Sequence, residues 1–423
     1  MTAPATGPVR AASLGQPAWM IAATTRQVMA ALDAARPGSA RFVGGCVRNQ
    51  LMGYPVDDID IATQLPPDKV MEALVAAGLR AVPTGLDHGT VTAVCRGRPF
   101  EITTLRRDVE TDGRRAVVAF TEDWAEDAAR RDFRLNALYA DADGTVHDPT
   151  GGGLDDARHG RVIFIGDADL RLREDYLRIL RFFRFNAWYG AQLDKDGLEA
   201  CRRHAEGLSR IAAERIWKEL SRLLAAPDLG ATLDAMVAAG VWAAILPAAD
   251  LRADETEARA RLKALRTGEA RLGLPPDPLR RLMTLLRRDP AAVTEAAARL
   301  RLSNAERDRL QAWANPGLDD LRAEEGPSAR AGIYRYGVQA VLDRALLDTG
   351  SGPSGIAGLY TMAQSWQPPV FPLGGEAAKA AGLEGPDIGA ALHAVEDHWV
   401  AGDFLADEAT LRDALNSWQR SSR

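Results

Sequence analysis

Two carboxylates stand one residue apart in the stretch VDDIDIAT, residues 56 to 63. In an extended strand residues i and i+2 share a face, so Asp58 and Asp60 point together while Ile59 and Ile61 point to the other side. Like charges placed this way repel unless a cation sits between them or one is protonated, and hard divalent cations favour oxygen ligands. Just upstream, RFVGGCVRNQLMG, residues 41 to 53, reads as a short strand over 41 to 43, a Gly44-Gly45 break and a helix opening near Val47. Paired glycines let a backbone approach phosphate oxygens, a following helix N-terminus supplies free N–H groups, and Arg48 in the first turn adds a side-chain contact. Each pattern alone also describes a solvated strand end or a ligand-free turn. About one helix and one strand apart, the two can serve one metal-bound triphosphate.

Further stretches supply more candidates. GLDHGTVTAVCRGRPFEITTLRRD, 85 to 108, alternates like a hairpin, with strands near 90 to 96 and 98 to 105 around an Arg-Gly-Arg turn and a charge, Glu101, in mid-strand. Residues 103 to 120 are polar, mixed in charge and contain glycine, which predicts a loop. RRDFRLNAL, 130 to 138, predicts a helix with Asp132 near its start. LREDYLRILRFFRF, 172 to 185, predicts another helix, in which Leu177, Leu180 and Phe183 face a core while Asp175, Arg178, Arg181 and Arg184 recur every third residue. Such a stripe drifts slowly around a helix and can meet a substrate along its length. Local ion pairs such as Glu174 to Arg178 explain part of it, but three arginines against one nearby Asp leave positive charge suited to phosphate or RNA.

GGCVRNQLMGYPVDDIDIAT, RRDFRLNAL and LREDYLRILRFFRF together resemble the class II tRNA nucleotidyltransferases, the CCA-adding enzymes, within the tRNA nucleotidyltransferase/poly(A) polymerase family. The match is specific in the first half of the chain and loose toward its end. The resemblance implies that Asp58 and Asp60 bind catalytic Mg²⁺, with Glu101 as a third carboxylate, and that Gly44, Gly45, Arg48 and Arg131 hold the nucleotide. It implies that Asp175 and Arg178 read the base, that Arg181 and Arg184 support base or phosphates, and that Glu214 and Arg215 in SRIAAERIWKEL, 209 to 220, orient the base-reading helix. The activity implied is template-independent addition of CCA to the 3′ end of tRNA from CTP and ATP. In that family the loop corresponding to 103 to 120 takes part in switching from C to A addition. Two residues depart from the family's usual pattern: Asn49 stands where Asp is common, and Arg134 where a smaller polar residue is. The glycine turn in VHDPTGGGLDD, 146 to 156, fits the family.

Four alternatives compete. A poly(A) polymerase shares the head chemistry but would be expected to lack the HGTV strand and the loop. Against a CC-adding or A-adding specialist of the same family, retention of that loop mildly favours complete CCA addition. A non-catalytic RNA-binding relative would not need three carboxylates, and a DxD glycosyltransferase leaves the arginine-rich helix unexplained.

Composition bounds the rest. With 423 residues the chain holds two to four domains. The expected class is α+β: a nucleotidyltransferase head with a small mixed or antiparallel sheet plus helices, then an all-helical neck, body and tail. The boundaries read as a loose extension over 1–24, head over 25–165, neck over 166–230, body over 231–330 and tail over 331–423, with helix breaks at Pro227, 273 to 278, 326 to 328 and 350 to 355. A formal charge of −6 argues against a uniformly basic surface, yet residues 161 to 222 hold 13 Lys and Arg against 10 Asp and Glu, which predicts a basic track on an acidic protein. No run of apolar residues suits a membrane and the N-terminus lacks a signal-peptide design, so a cytoplasmic protein with no membrane and no protein partner is expected. Cys46, Cys95 and Cys201 lack metal spacing and read as reduced packing residues.

Overall fold

The structure is a computed structural model and describes residues 12–111, 116–246, 255–318, 321, 326–347 and 353–421. It divides into two compact units, Met1–Ile245 and Leu246–Arg423.

The strands of the first unit, in chain order, are β1 (Ala12–Ser13), β2 (Ala40–Val43), β3 (Asp60–Thr63), β4 (Arg80–Gly85), β5 (Thr90–Cys95), β6 (Arg98–Thr104), β7 (Arg106–Thr111), β8 (Ala116–Phe120), β9 (Tyr139–Ala140) and β10 (Thr145–His147). Eight of them form one mixed sheet in the order β1-β10-β9-β2-β3-β6-β5-β4, and β7 pairs with β8 alone. Pairing in the large sheet is antiparallel except between β3 and β6. The helices are α1 (Ala18–Ile21), α2 (Ala23–Ala35), α3 (Gly45–Met52), α4 (Pro67–Ala76), α5 (Trp124–Ala129), α6 (Gly153–His159), α7 (Ala168–Glu174), α8 (Leu177–Tyr189), α9 (Lys195–His204) and α10 (Ala213–Leu224), followed by two shorter ones.

Alternation along the strands separates the two faces of the sheet. Val91, Ala93, Cys95, Phe100 and Ile102 are buried on the face covered by α2 and α4. Their neighbours Thr90, Thr92, Glu101 and Thr103 stay half-buried or exposed on the other face. That polar face is where β3 and β6 run side by side. The predicted β5–β6 hairpin is present, and its Arg96 and Gly97 both take positive φ, 49° and 82°; this handedness matches the twist of two paired strands.

Three expectations are corrected here. Residues 12 to 24 are not a loose extension: β1 pairs with β10, and Trp19 packs edge-on against Phe42 while its indole N–H donates to Gln50 Oε1 at 2.9 Å. Residues 103 to 120 are not a loop, because β7 and β8 pair antiparallel on either side of residues 112–115, which lie outside the described residues. The segment 326 to 328 is helical, in the first turn of the span Gly326–Leu347, where a proline's missing N–H is not needed; the interruption comes instead at Gly337, whose φ of 83° and ψ of 158° are not helical and divide that span into two helices.

The described part of the second unit is helical, as expected for an α+β chain with its sheet in the first half. Ser303 caps the helix Asn304–Ala314 in a reciprocal capping box with Glu306. All three cysteines are buried and free. No helix among the described residues is long and apolar enough to cross a membrane.

Candidate active site

β3 begins at Asp60, so the predicted strand over 56 to 63 starts late. Asp58 lies in the approach that follows Pro55, a residue with no N–H to give a ladder. The alternation survives all the same: Ile59 and Ile61 are 3% and 0% exposed, Asp58 is exposed and Asp60 half-buried. Parallel pairing puts Asp60 directly beside Glu101. Burial, then Glu101, pushes the Asp60 carboxyl up to about 6, with Asp58 adding to the rise and Arg131 and Arg48 opposing it. Among the described residues no set of three or more His, Cys, Asp or Glu forms a ready-made metal cage. The donors at this place are carboxylate oxygens on an open sheet face, which fits a cation held by one or two carboxylates and completed by substrate phosphates and water.

The glycine turn lies between β2 and α3. Gly44 has φ 69° and ψ −118°, a conformation that favours glycine, and so α3 starts at Gly45, two residues before the predicted Val47. A Cβ on Gly44 would sit 3.7 Å from a guanidinium nitrogen of Arg131, so the turn and Arg131 adjoin. Arg131 donates to Asp127 Oδ2 at 2.9 Å and lies over Tyr139, whose hydroxyl donates to the same oxygen at 2.7 Å. Burial alone would raise the Asp127 carboxyl, yet Arg131 and Arg130 hold it well below the usual carboxylate range.

Arg48 is 6% exposed. Its guanidinium donates to Asn136 Oδ1 at 2.5 Å, to Tyr189 Oη at 3.0 Å and to Asn49 Oδ1 at 2.7 and 3.1 Å, and it lies over the rings of Tyr189 and Phe185. These hydrogen-bond partners are all neutral, and burial lowers the pKa of the group. A buried cation held by neutral groups is costly, and an anion delivered to the glycine turn would relieve it.

The segment 172 to 185 is not one helix. α7 ends at Glu174, Asp175 is extended at φ −153° and ψ 105°, and α8 starts at Leu177. Asp175 Oδ1 accepts the Leu177 N–H at 3.1 Å, and its Oδ2 accepts from Arg215 at 2.7 Å. Arg178 donates to the Arg171 carbonyl at 3.0 Å, to the Arg130 carbonyl at 3.1 Å and to Glu174. The two side chains are thereby held from several directions with part of their hydrogen-bonding capacity unspent.

The remaining arginines overturn the expectation of excess positive charge on this helix. Arg181 donates to Asp132 Oδ2 at 2.7 Å, and Arg184 to Glu219 Oε2 at 2.6 Å. Those carboxylates come from 49 and 35 residues away in the chain, beyond what a count of neighbours in sequence takes in.

Residues 40–163 match the Poly A polymerase head domain, and residues 190–251 match a probable RNA- and SrmB-binding site of polymerase A. The chain is 34% identical to the mitochondrial CCA tRNA nucleotidyltransferase 1 of Mus musculus over 385 residues, spanning 88% of this chain and 85% of the relative. The chain belongs to the CCA tRNA nucleotidyltransferase family. The CCA-adding enzyme of Geobacillus thermodenitrificans is 40% identical over 205 residues, 48% of this chain and 49% of that enzyme. The crystal structure of the Bacillus stearothermophilus CCA-adding enzyme in complex with CTP superposes with a TM-score of 0.73 at 25% identity, covering 95% of this chain and 99% of that one.

The departures of this chain from the family's usual motifs have local explanations. Asn49 accepts from Arg48 and donates to the Pro55 carbonyl at 2.7 Å, so its amide ties α3 to the approach toward Asp58, a bond a carboxylate could not donate. RRDFRLNAL is not an α-helix: α5 ends before it, Phe133 forms an isolated bridge with Phe164, and only Arg134–Asn136 makes a short 3-10 turn. Asp132 there accepts the Phe133 N–H and the Asn136 amide, which competes with helix formation. Arg134 forms a two-pronged pair with the buried Asp156, at 2.7 and 3.0 Å. A Cβ on Gly152 would come within 2.8 Å of that guanidinium, so the glycine turn makes room for the larger residue. Asp127, Asn136, Tyr189 and Glu219 escaped sequence reasoning. Only Asp127 carried a local signal, its i+3 and i+4 spacing to Arg130 and Arg131.

Proposed function

We propose that this protein adds C, C and A in turn to the 3′ end of tRNA, using CTP and ATP without a nucleic-acid template and releasing pyrophosphate at each step. The observation that carries the reading is the Asp60–Glu101 register beside the glycine turn, in a chain related over most of its length to an enzyme of that name. Asp58 and Asp60, with Glu101 beside them, would hold Mg²⁺, which when bound activates the tRNA 3′-hydroxyl and neutralises charge on the α-phosphate and the departing pyrophosphate. Gly44 and Gly45 offer close backbone approach to the triphosphate, and Arg48 and Arg131 orient it. Asp175 accepts from an exocyclic amine while Arg178 donates to the ring edge beside it. Cytosine and adenine both present an amine next to an acceptor nitrogen on that edge, whereas guanine and uracil do not.

The domain roles follow the same reading: catalysis in the head (25–165), base reading in the neck (166–230), and a body (231–330) and tail (331–423) that grip tRNA by shape and backbone. The β7–β8 hairpin stands where the family switches from C to A addition. The cytoplasm is the compartment we assign.

The test is extension of three tRNAs, ending before CCA, after C and after CC, each with Mg²⁺ and with CTP, ATP or both. Conversion of all three to one CCA end supports the reading. Extension of one class alone identifies a CC-adding or A-adding specialist, long A tails identify a poly(A) polymerase, and no extension overturns it.

A further inference from the structure

A buried hydrogen-bonded chain runs from the glycine turn to α8. Arg48 donates to Asn136 Oδ1 at 2.5 Å, Asn136 Nδ2 donates to Asp132 Oδ1 at 3.1 Å, and Asp132 Oδ2 accepts from Arg181 at 2.7 Å. Arg181 also lies 3.6 Å from Glu219, which holds Arg184. Asn136 and Asp132 are each 7% exposed. The amide orientation is dictated by its neighbours, since a guanidinium only donates and a carboxylate only accepts. The chain carries three positive and two negative groups, and the end without an anionic partner among the described residues is Arg48, beside Gly45.

We propose that Asn136 is a positioning residue that makes base selection depend on the triphosphate. An anion on the glycine turn draws on Arg48. Asn136 is the side chain that hydrogen-bonds both Arg48 and Asp132, so the pull passes to Asp132 and through it to Arg181 on the helix that carries Arg178. The converse holds with equal strength, because coupling between two binding events is reciprocal. A correct base therefore tightens the triphosphate seat, and a wrong base on a triphosphate is penalised more than a wrong base on a monophosphate.

This inference rests on the nucleotide-binding roles proposed above, and the experiment separates the two. Equilibrium binding of CTP, UTP, CMP and UMP to the purified full-length protein with Mg²⁺ yields two C-over-U ratios, one for triphosphates and one for monophosphates. The wild-type triphosphate ratio is expected to exceed the monophosphate ratio by about tenfold, within the usual range of coupling between sites. In Asn136→Ala the two ratios should become equal. Asn136→Asp keeps the shape and the contact to Arg48 but turns an acceptor and a like charge toward Asp132; it should equalise the ratios too, and it serves if the alanine variant does not fold. Equal ratios in the wild type, or a folded variant of either kind that keeps the wild-type difference, overturn the proposal. Failure of the wild type to bind any of the four nucleotides instead removes the nucleotide site itself. A merely structural asparagine would lower the melting temperature and leave the dependence on phosphate number in place.

Discussion

The β3–β6 strip and helix α8 treat charge in opposite ways. On the strip, Asp60 and Glu101 face each other across a parallel pairing with Asp58 nearby, and the Asp60 carboxyl is driven upward by burial and by its neighbours. On α8, Arg178, Arg181 and Arg184 are each closed by a carboxylate: Glu174, Asp132 and Glu219. Charge left in conflict marks a place where a ligand is to bring the counter-charge, while charge already matched builds the frame that holds the ligand's other end. Both regions look alike in sequence, as charged residues at regular spacing. Their functions separate only when the long-range partners are known.

The contrast can be broken by substitutions on each side. Asp60→Asn should reduce nucleotide transfer by about 10⁴-fold, or ~5 kcal/mol of transition-state stabilisation, while tRNA affinity measured by filter binding stays within about twofold. Glu219→Gln should lower unfolding free energy by about 3 kcal/mol in a denaturant titration, because it strands the guanidinium of Arg184 without its counter-charge.

Stability should move the other way on the strip. A carboxyl whose folded pKa is raised binds its proton more tightly in the native state, so it costs stability as pH rises from about 4 through 6. In metal-free buffer at pH 8, Asp60→Asn should therefore be more stable than the wild type by up to about 3 kcal/mol, with the gap closing by pH 4. The smallest effect is on selection: Asp175→Ala should lower the preference for CTP over UTP by about tenfold, ~1.4 kcal/mol, with a lesser loss in the rate with CTP. Misincorporation on a tRNA ending before CCA measures it.

How much of this could be read from the sequence depended on the range of the interaction. The pleat that sets Asp58 and Asp60 on one side, the glycine turn before α3 and the β5–β6 hairpin each depend on a few consecutive residues, and each is present. Apolar spacing favours a continuous helix through Asp175, whereas its carboxylate caps the Leu177 N–H and is pulled aside by Arg215, which breaks the helix there. Polarity points to a loop over 103 to 120, yet it says little about two strands that pair mainly with each other. Within the site, the carboxylates and arginines were recognisable by type. The partners that decide their state, Asp132 for Arg181, Asp156 for Arg134, Asn136 and Tyr189 for Arg48, are set by packing between distant segments, and no spacing rule connects them.

The central claim is that the unmatched carboxylates of β3 and β6 await a cation and do the chemistry with it. One titration addresses it: Mg²⁺ added to the wild type and to Asp60→Asn at pH 8, with the transfer rate and the melting temperature followed together. For the wild type both should rise along one curve, and for the variant both should stay flat. A wild-type melting temperature indifferent to Mg²⁺, or a variant whose transfer rate climbs like that of the wild type, would contradict the account.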